Sequence, residues 1–211
     1  MKYDLIIFDF DGTLADTFPW FTSVINQVAD KYKFKKVSGN DEELLRGLGA
    51  REILKVLGIP LWKAPMIGKT MSSMLSNDIQ EISLFDGTQA LLKSLSLRNV
   101  KIAILSTNSL TNISTVLGSE NTALIDYFEC GVSALGKRTK LRKILKKSKI
   151  PPSEAIFIGD EIRDCEAANK AGVAFGAVSW GYTRLDSLEF CKPTEVFTSV
   201  DQISDRLLSS E

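Results

Sequence analysis

Four apolar runs of four to eight residues lie along the chain, and each stops at small or polar residues. Continuous apolar runs of this length are typical of strands that are covered on both faces in a parallel sheet. Amphipathic helical patterns precede the later runs, and this alternation predicts a doubly wound sheet. The runs are LIIF at 5–8, KIAILS at 101–106, AIFIGD at 155–160 and VAFGAVSW at 173–180.

The helical patterns agree with this fold class. Residues 88–98 repeat leucine at helical spacing, and residues 138–149 place their apolar side chains on one face with lysines opposite. Residues 162–172 end in Ala-Gly, a common helix stop before a strand. We therefore predict an α/β protein with a three-layer, Rossmann-like core built on a parallel sheet.

Residues 16–83 break the alternation, because they carry helical patterns and no strand-like run. The first of these patterns, FPWFTSVINQVADKY, has apolar residues at helical spacing and Pro19 in its first turn. We predict that this segment is an all-helical insertion that covers the strand ends, while residues 1–15 and 84–211 form the core. The alternative is that these helices pack on the flank of the sheet.

The charges of the chain balance, with 26 Lys and Arg against 26 Asp and Glu. No net field attracts nucleic acid or an anionic membrane, so we expect neither as a partner. The N-terminal apolar stretch is too short for a signal peptide, and the three cysteines lack metal-ligand spacing. These features predict a cytoplasmic protein. Trp62 and Met66 suit either a dimer contact or the core of the insertion, so we expect a monomer or a weak homodimer.

The chain contains no histidine. This composition excludes Ser-His-Asp and Cys-His catalysis, histidine-bound zinc and histidine general bases. Acid–base chemistry would therefore fall to carboxylates or to lysine. Any metal ion would be bound by oxygen atoms, which favours Mg²⁺.

Polar residues cluster where the predicted strands end. Asp9 and Asp11 flank one phenylalanine after the first run, and Gly12 permits a tight turn there. Two carboxylates this close cannot both stay comfortably ionised, so one is biased toward its protonated form. Because parallel strands end at one edge of a sheet, polar residues after the other runs should converge with this pair. They are Ser106, Thr107, Asn108, Asp160, Glu161 and Asp164, with Lys137 at a helix start.

Four motifs appear in a definite order: DFDGT at 9–13, ILST at 104–107, GKRTKL at 136–141 and GDEIRD at 159–164. With this set, the chain resembles the haloacid dehalogenase superfamily of phosphohydrolases, in the phosphoglycolate phosphatase-like branch that has a helical cap after the first motif. The resemblance covers essentially the whole chain. It implies a Mg²⁺-dependent phosphomonoester hydrolase that acts on a small phosphorylated metabolite through an aspartyl-phosphate.

The resemblance also implies a role for each motif residue. Asp9 would attack phosphorus, and Asp11 would protonate the leaving oxygen and later take a proton from water. Asp9, the backbone carbonyl of Asp11 and Asp160 would hold Mg²⁺. Asp164 would bind the ion through water or would fix Lys137, which would neutralise the phosphate as a point cation.

Further residues would bind the substrate. Ser106 would donate its hydroxyl to a phosphate oxygen with help from the Thr107 amide, although Thr107 could itself be the family hydroxyl. Arg46 and Arg51 of the insertion would clamp an anionic leaving group or would be solvated charges. The remaining phosphate-binding candidates are Gly12, Thr13, Asn108 and Lys137.

Two positions have competing interpretations. Glu161 would lie either near the metal or at an exposed helix start, and residues 180–182 are expected to pack as a loop. Lys137 competes with the other basic residues of its helix, and its place directly before the helix favours it.

The superfamily also contains dehalogenases and phosphonate hydrolases, and the motifs of this chain argue against both reactions. Dehalogenases need neither Asp11 nor a metal site, and phosphonate hydrolysis uses a cap lysine that residues 14–30 lack.

The alternatives to a phosphatase are a sugar phosphomutase and a non-catalytic binding protein. The β-phosphoglucomutase branch has a histidine where this chain has Phe21. A degenerate, non-catalytic member would be expected to lack one of the motif residues, and all of them are present. Hydrolysis of a phosphomonoester is therefore the predicted reaction.

Overall fold

The structure is a computed structural model that describes residues 2–131 and 136–208, with Asn40 described by its backbone alone. Its six strands are β1 (Leu5–Phe8), β2 (Lys101–Leu105), β3 (Tyr127–Glu129), β4 (Ala155–Gly159), β5 (Ala174–Val178) and β6 (Glu195–Phe197). They form one sheet in the order β3-β2-β1-β4-β5-β6, and every neighbouring pair is parallel. The predicted α/β class is therefore confirmed.

The helices in the described part of the chain are α1 (Phe18–Tyr32), α2 (Gly39–Arg46), α3 (Ala50–Val56), α4 (Ala64–Asn77), α5 (Thr88–Leu97), α6 (Leu110–Thr122), α7 (Lys137–Ser148), α8 (Ile162–Ala171), α9 (Leu185–Glu189) and α10 (Asp201–Leu208). Alternate strand residues point to opposite faces. Ile6 and Phe8 pack with α5, α6 and α10, whereas Leu5 and Ile7 pack with α7 and α8. Helices on both faces form the predicted three layers. None of the described helices has the length and hydrophobicity that crossing a membrane requires.

The centre of the sheet is the place where a ligand site is expected. Phe8 of β1 is level with Ile104 of β2 and with Ile158 of β4, so the chain leaves all three strands at one edge. The chain winds from β1 toward β3 on one side and from β4 toward β6 on the other. Ligands of open α/β sheets bind outside the strand ends at such a change of direction.

Helices α1 to α4 lie between β1 and α5, within the predicted insertion. The chain enters and leaves this helical segment through two connections that lie side by side. The Asp16 N–H donates to Ser83 O at 2.9 Å, and the Phe85 N–H donates to Leu14 O at 2.9 Å. A small apolar cluster, separate from the two clusters on the faces of the sheet, is formed by Val28, Leu57, Ile59 and Ile67.

The sheet has two strands that the sequence pattern did not predict. β3 and β6 lie at opposite edges, have three residues each, and bury only their last residue fully. Neither contains an apolar run that is long enough to be recognised. Helices α6, α9 and α10 were also not predicted.

Candidate active site

Three buried carboxylates meet at the carboxyl edge of the sheet. Asp9 follows β1, Asp160 follows β4, and Asp164 lies in the first turn of α8. Their exposed fractions are 3%, 0% and 0%, and one oxygen of each lies within 4.8 Å of the others. These donors are all oxygen atoms, which suits a hard divalent cation such as Mg²⁺.

Lys137 is the basic residue that reaches these carboxylates. Its side chain is 1% exposed, and Nζ lies 2.5 Å from both Asp9 Oδ2 and Asp164 Oδ1. Burial lowers the pKa of Lys137, but the charges of Asp164 and Asp9 outweigh burial and raise that pKa above its usual value. The ammonium therefore stays charged. Lys140, one of its competitors on α7, binds Glu129 instead.

Asp160 is held from two sides. The Thr13 hydroxyl donates to Oδ1 at 2.7 Å, and the Tyr182 backbone N–H donates to Oδ2 at 2.8 Å. Two glycines permit this packing: a Cβ at Gly181 would lie 2.2 Å from the Asp160 Cβ, and one at Gly12 would lie 2.4 Å from Oδ2. Gly12 also has a φ of +75°. The structure thus places Gly12 and Thr13, which the resemblance implies as phosphate-binding candidates, against Asp160.

Asp11 faces the residues that follow β2. Its Oδ1 accepts a hydrogen bond from Asn108 Nδ2 at 3.1 Å, and its Oδ2 lies 3.4 Å from Ser106 Oγ. Burial and then the charge of Asp9 raise the pKa of Asp11 to about 6, although the bonds from Asn108 and Ser106 oppose that rise. Asp9 and Asp11 therefore have different surroundings: Asp9 is paired with the Lys137 ammonium, whereas the pKa of Asp11 is raised.

The Asn108 amide has one orientation, because one of its neighbours can only donate. Its Oδ1 accepts from the Ser109 N–H at 2.8 Å and from Asn112 Nδ2 at 3.0 Å, so its Nδ2 must face Asp11. Asn112 is 4% exposed and also donates to Ser76 Oγ at the end of α4. Sequence patterns did not indicate Asn112. Its position one helical turn after Asn108 is a signal that could have found it.

Comparison with known proteins identifies the family of this chain. The profile of the family described as haloacid dehalogenase-like hydrolase matches residues 6–178. The chain belongs to this family. Phosphoglycolate phosphatase of Synechococcus elongatus is 32% identical over 184 residues, which cover 87% of each chain. That of Caulobacter vibrioides is 31% identical over 191 residues, which cover 84% of this chain and 80% of the relative. A protein described as a predicted phosphatase from Clostridium acetobutylicum shares the fold, with a TM-score of 0.83 at 20% identity over 99% of both chains.

These findings confirm two predictions about this haloacid dehalogenase-like hydrolase. The first is its resemblance to the phosphoglycolate phosphatase-like branch. The second is that it is an enzyme of the phosphatase class. The matched residues span all four motifs, from DFDGT to GDEIRD.

Burial and mutual repulsion raise the pKa of two of the three carboxylates of this hydrolase. Burial raises the pKa of Asp160 well above its usual value, and the charges of Glu161 and Asp9 raise it further. Burial also raises the pKa of Asp164 to about 7, although the charge of Lys137 opposes that rise. A divalent cation would remove this repulsion, so the residues fit the Mg²⁺ site that the family implies.

Thr107 and Glu161 lie at the rim of the site, and both are half-buried. Glu161 directly precedes α8 and forms an ion pair with Arg163. Because the Glu161 charge also raises the pKa of Asp160, Glu161 belongs to the electrostatic surroundings of the carboxylates. Glu161 thus lies both beside the carboxylates and at the start of α8, and the two interpretations stay open.

The two arginines of the insertion differ in position. Arg46 Nη2 donates to Gly181 O at 2.9 Å, and its Nε donates to Tyr182 O at 3.3 Å. Arg51 is exposed on α3. The segment Gly181–Tyr182, which was expected to pack as a loop, therefore lies between the insertion and Asp160.

Proposed function

We propose that this protein is a Mg²⁺-dependent phosphomonoesterase that acts on a small phosphorylated metabolite through an aspartyl-phosphate on Asp9. The observation that carries this proposal is a group of three carboxylates, Asp9, Asp160 and Asp164, with Lys137 bound to two of them, Asp9 and Asp164. An anionic nucleophile must approach an anionic phosphate, and cations at this place lower that barrier.

Asp9, Asp160 and Asp164, with the backbone carbonyl of Asp11, would hold Mg²⁺. When bound, the ion would offset the charge of the phosphate and of the nucleophile. Lys137 would neutralise the remaining phosphate charge as a point cation. Its ammonium also forms an ion pair with Asp9, the proposed carboxylate nucleophile.

Asp9 and Asp11 would divide the two chemical steps. In the first, Asp9 Oδ bonds to phosphorus while the bond to the leaving oxygen breaks, and protonated Asp11 gives that oxygen its proton. In the second, the Asp11 carboxylate takes a proton from water, whose oxygen attacks phosphorus and frees Asp9 and inorganic phosphate. A pKa of about 6 gives Asp11 access to both forms near neutral pH.

The phosphate would be bound by Lys137 and by the residues that follow β2. We assign the hydroxyl to Ser106 rather than Thr107, because Ser106 is fully buried and faces Asp11. The Thr107 backbone N–H and the Asn108 amide would supply further donors. Gly12 and Thr13 would act through Asp160, which they contact.

The substrate that we propose is a small phosphorylated carboxylate such as phosphoglycolate. Two relatives that are more than 30% identical carry the name phosphoglycolate phosphatase. Residues 16–83 would form the cap and residues 1–15 and 84–211 the core, a division that the paired connections at 14–16 and 83–85 support. The proposed location is the cytoplasm, without a nucleic acid or membrane partner.

The expected oligomeric state is a monomer or a weak homodimer. Trp62 and Met66, which could serve either a dimer or the cap's own core, are 68% and 46% exposed. This exposure favours a dimer contact over burial within the cap. A sugar phosphomutase is less favoured, because Phe21 replaces the histidine of that branch and packs on Tyr182 with ring centres 5.6 Å apart.

Hydrolysis of an aryl phosphate with and without Mg²⁺ tests the proposal. We expect Mg²⁺-dependent activity in the native protein, and Asp9→Asn should lower kcat at least about 10³-fold because it removes the nucleophile. Asp30→Asn is a matched control, since Asp30 is exposed on α1 and pairs with Lys36. Activity that survives Asp9→Asn would exclude the aspartyl-phosphate. A native protein that hydrolyses no member of a phosphometabolite panel would support the non-catalytic alternative.

A further inference from the structure

The guanidinium of Arg46 is engaged by the backbone of the core. Nη2 and Nε donate to the carbonyl oxygens of Gly181 and Tyr182, and Nη1 lies 3.4 Å from Glu43 Oε1. The group also lies 5.1 Å from the centre of the Phe18 ring. Each of the three nitrogens already has an acceptor. Three of its five N–H groups are thus in use, and two of these three bind the Gly181–Tyr182 segment.

A single peptide group joins Arg46 to Asp160. It is the peptide between Gly181 and Tyr182: its carbonyl accepts from Arg46 at 2.9 Å, and its N–H donates to Asp160 Oδ2 at 2.8 Å. Because a peptide group is planar, a rotation that breaks one of these bonds also misdirects the other. A cation on the carbonyl also polarises the amide and makes its N–H a stronger donor.

The same segment contacts the insertion in two further ways. The ring of Tyr182 packs edge-on against Phe18 and Phe21 of α1, with ring centres 5.1 Å and 5.6 Å apart. The Arg184 N–H donates to Arg46 O at 2.9 Å. Residues 181–184 are thus bound to α1 and α2 on one side and to Asp160 on the other.

We propose that Arg46 is a positioning residue that orients the Gly181–Tyr182 peptide and, through it, the Asp160 carboxylate. The part that concerns catalysis rests on the proposed function, in which Asp160 holds Mg²⁺. Asp160 has both of its donors, Thr13 and Tyr182, when the insertion lies against the core. The contact of Arg46 with this segment and the orientation of Asp160 are then linked through the Tyr182 N–H. In this proposal Arg46 acts through Asp160, which differs from both roles considered for it above, a clamp for the leaving group and a solvated charge.

Hydrogen exchange of the Tyr182 amide tests this link in protein without metal. Arg46→Ala removes both side-chain bonds to the segment, and we expect the amide to exchange at least about tenfold faster. Arg46→Lys can still donate to the Gly181 carbonyl and should restore part of the protection. Arg51→Ala, in the same insertion, is the control and should leave the rate unchanged. Unchanged exchange in Arg46→Ala would overturn the proposal.

Mg²⁺ calorimetry and steady-state kinetics separate positioning from clamping. For Arg46→Ala we expect about tenfold weaker Mg²⁺ binding in calorimetry. The kcat should fall by the same factor for an aryl phosphate and for phosphoglycolate, while the KM of each substrate stays unchanged. A higher KM for phosphoglycolate alone, with unaltered Mg²⁺ binding, would show a clamp and refute the inference. If the native protein hydrolyses neither ester, the proposed function fails, whereas the exchange rate of the Tyr182 amide still decides the link.

Discussion

Replacing Glu129 by glutamine removes a negative charge from beneath the helix that begins with Lys137. Glu129 is the last residue of β3 and is 4% exposed. Three lysines of α7 bind its carboxylate: Lys147 at 2.8 Å, Lys143 at 2.9 Å and Lys140 at 3.1 Å. These bonds tie α7 to the edge of the sheet. Glutamine keeps the shape of the side chain and loses the charge.

The expected loss follows from the exposure of the partners. The side chains of Lys140, Lys143 and Lys147 are 36%, 50% and 46% exposed, so solvent screens each pair to roughly 0.2–1 kcal/mol. Three pairs together should lower the free energy of unfolding by about 1–2 kcal/mol at pH 7. Burial raises the pKa of Glu129, but the lysine hydrogen bonds outweigh burial and lower it from 4.5 to about 2. The stabilisation is therefore complete above the unfolded pKa and is lost as the pH falls through about 2.

Urea unfolding of the native protein and of Glu129→Gln, from pH 7 down to pH 2, measures this effect. The difference between the two should shrink below about pH 4.5 and should also shrink in about 1 M salt. Glu166→Gln is the control, because Glu166 is 58% exposed and pairs with Lys170 on α8; it should change stability by less than about 0.5 kcal/mol. A difference that is constant across this pH range would show that the loss is not electrostatic.

Two further substitutions test how the carboxylates are supported. Asn112→Leu removes the bond to Asn108 Oδ1, so we expect the free energy of unfolding in urea to fall by about 1–3 kcal/mol and kcat on an aryl phosphate to fall as well. An unchanged kcat would mean that Asn108 keeps its orientation without Asn112. Gly181→Ala would put a Cβ 2.2 Å from the Asp160 Cβ, so Mg²⁺ binding should weaken more than about tenfold in calorimetry. Gly68→Ala is the control, because a Cβ at this position of helix α4 meets nothing within 4 Å; its free energy of unfolding should rise by about 0.5–1 kcal/mol. Equal Mg²⁺ binding by the two alanine variants would contradict the packing argument.

The central strands could be predicted from the sequence, whereas the edge strands could not. A strand covered on both faces must be apolar at every position, and β1 and β4 are therefore visible as continuous runs. β3 and β6 have three residues each, and the first two residues of each are only partly buried. Their conformation depends on pairing with β2 and β5, which is information that their own residues do not contain.

Site residues were predictable where the backbone alone determines their position. Asp9 and Asp160 follow paired strands, so the register of the sheet decides that they meet. The direction of a side chain in a turn is harder to predict from the sequence. The Thr13 hydroxyl points to Asp160 because of the conformation at Gly12. The partner of Arg46 depends in turn on how the whole insertion lies against the core, which no local pattern encodes.

Contacts made by peptide groups are the hardest to predict, because every residue except proline has the same N–H. The N–H that holds Asp160 belongs to Tyr182, and the identity of that side chain does not determine the bond. The sequence does show one consequence of this contact: residue 181 is glycine, because a Cβ there would collide with Asp160. A glycine in the loop after a core strand is therefore the residue to examine for a backbone donor to a buried carboxylate. In this chain it marks the peptide that contacts both Arg46 of the insertion and the Asp160 carboxylate at the edge of the sheet.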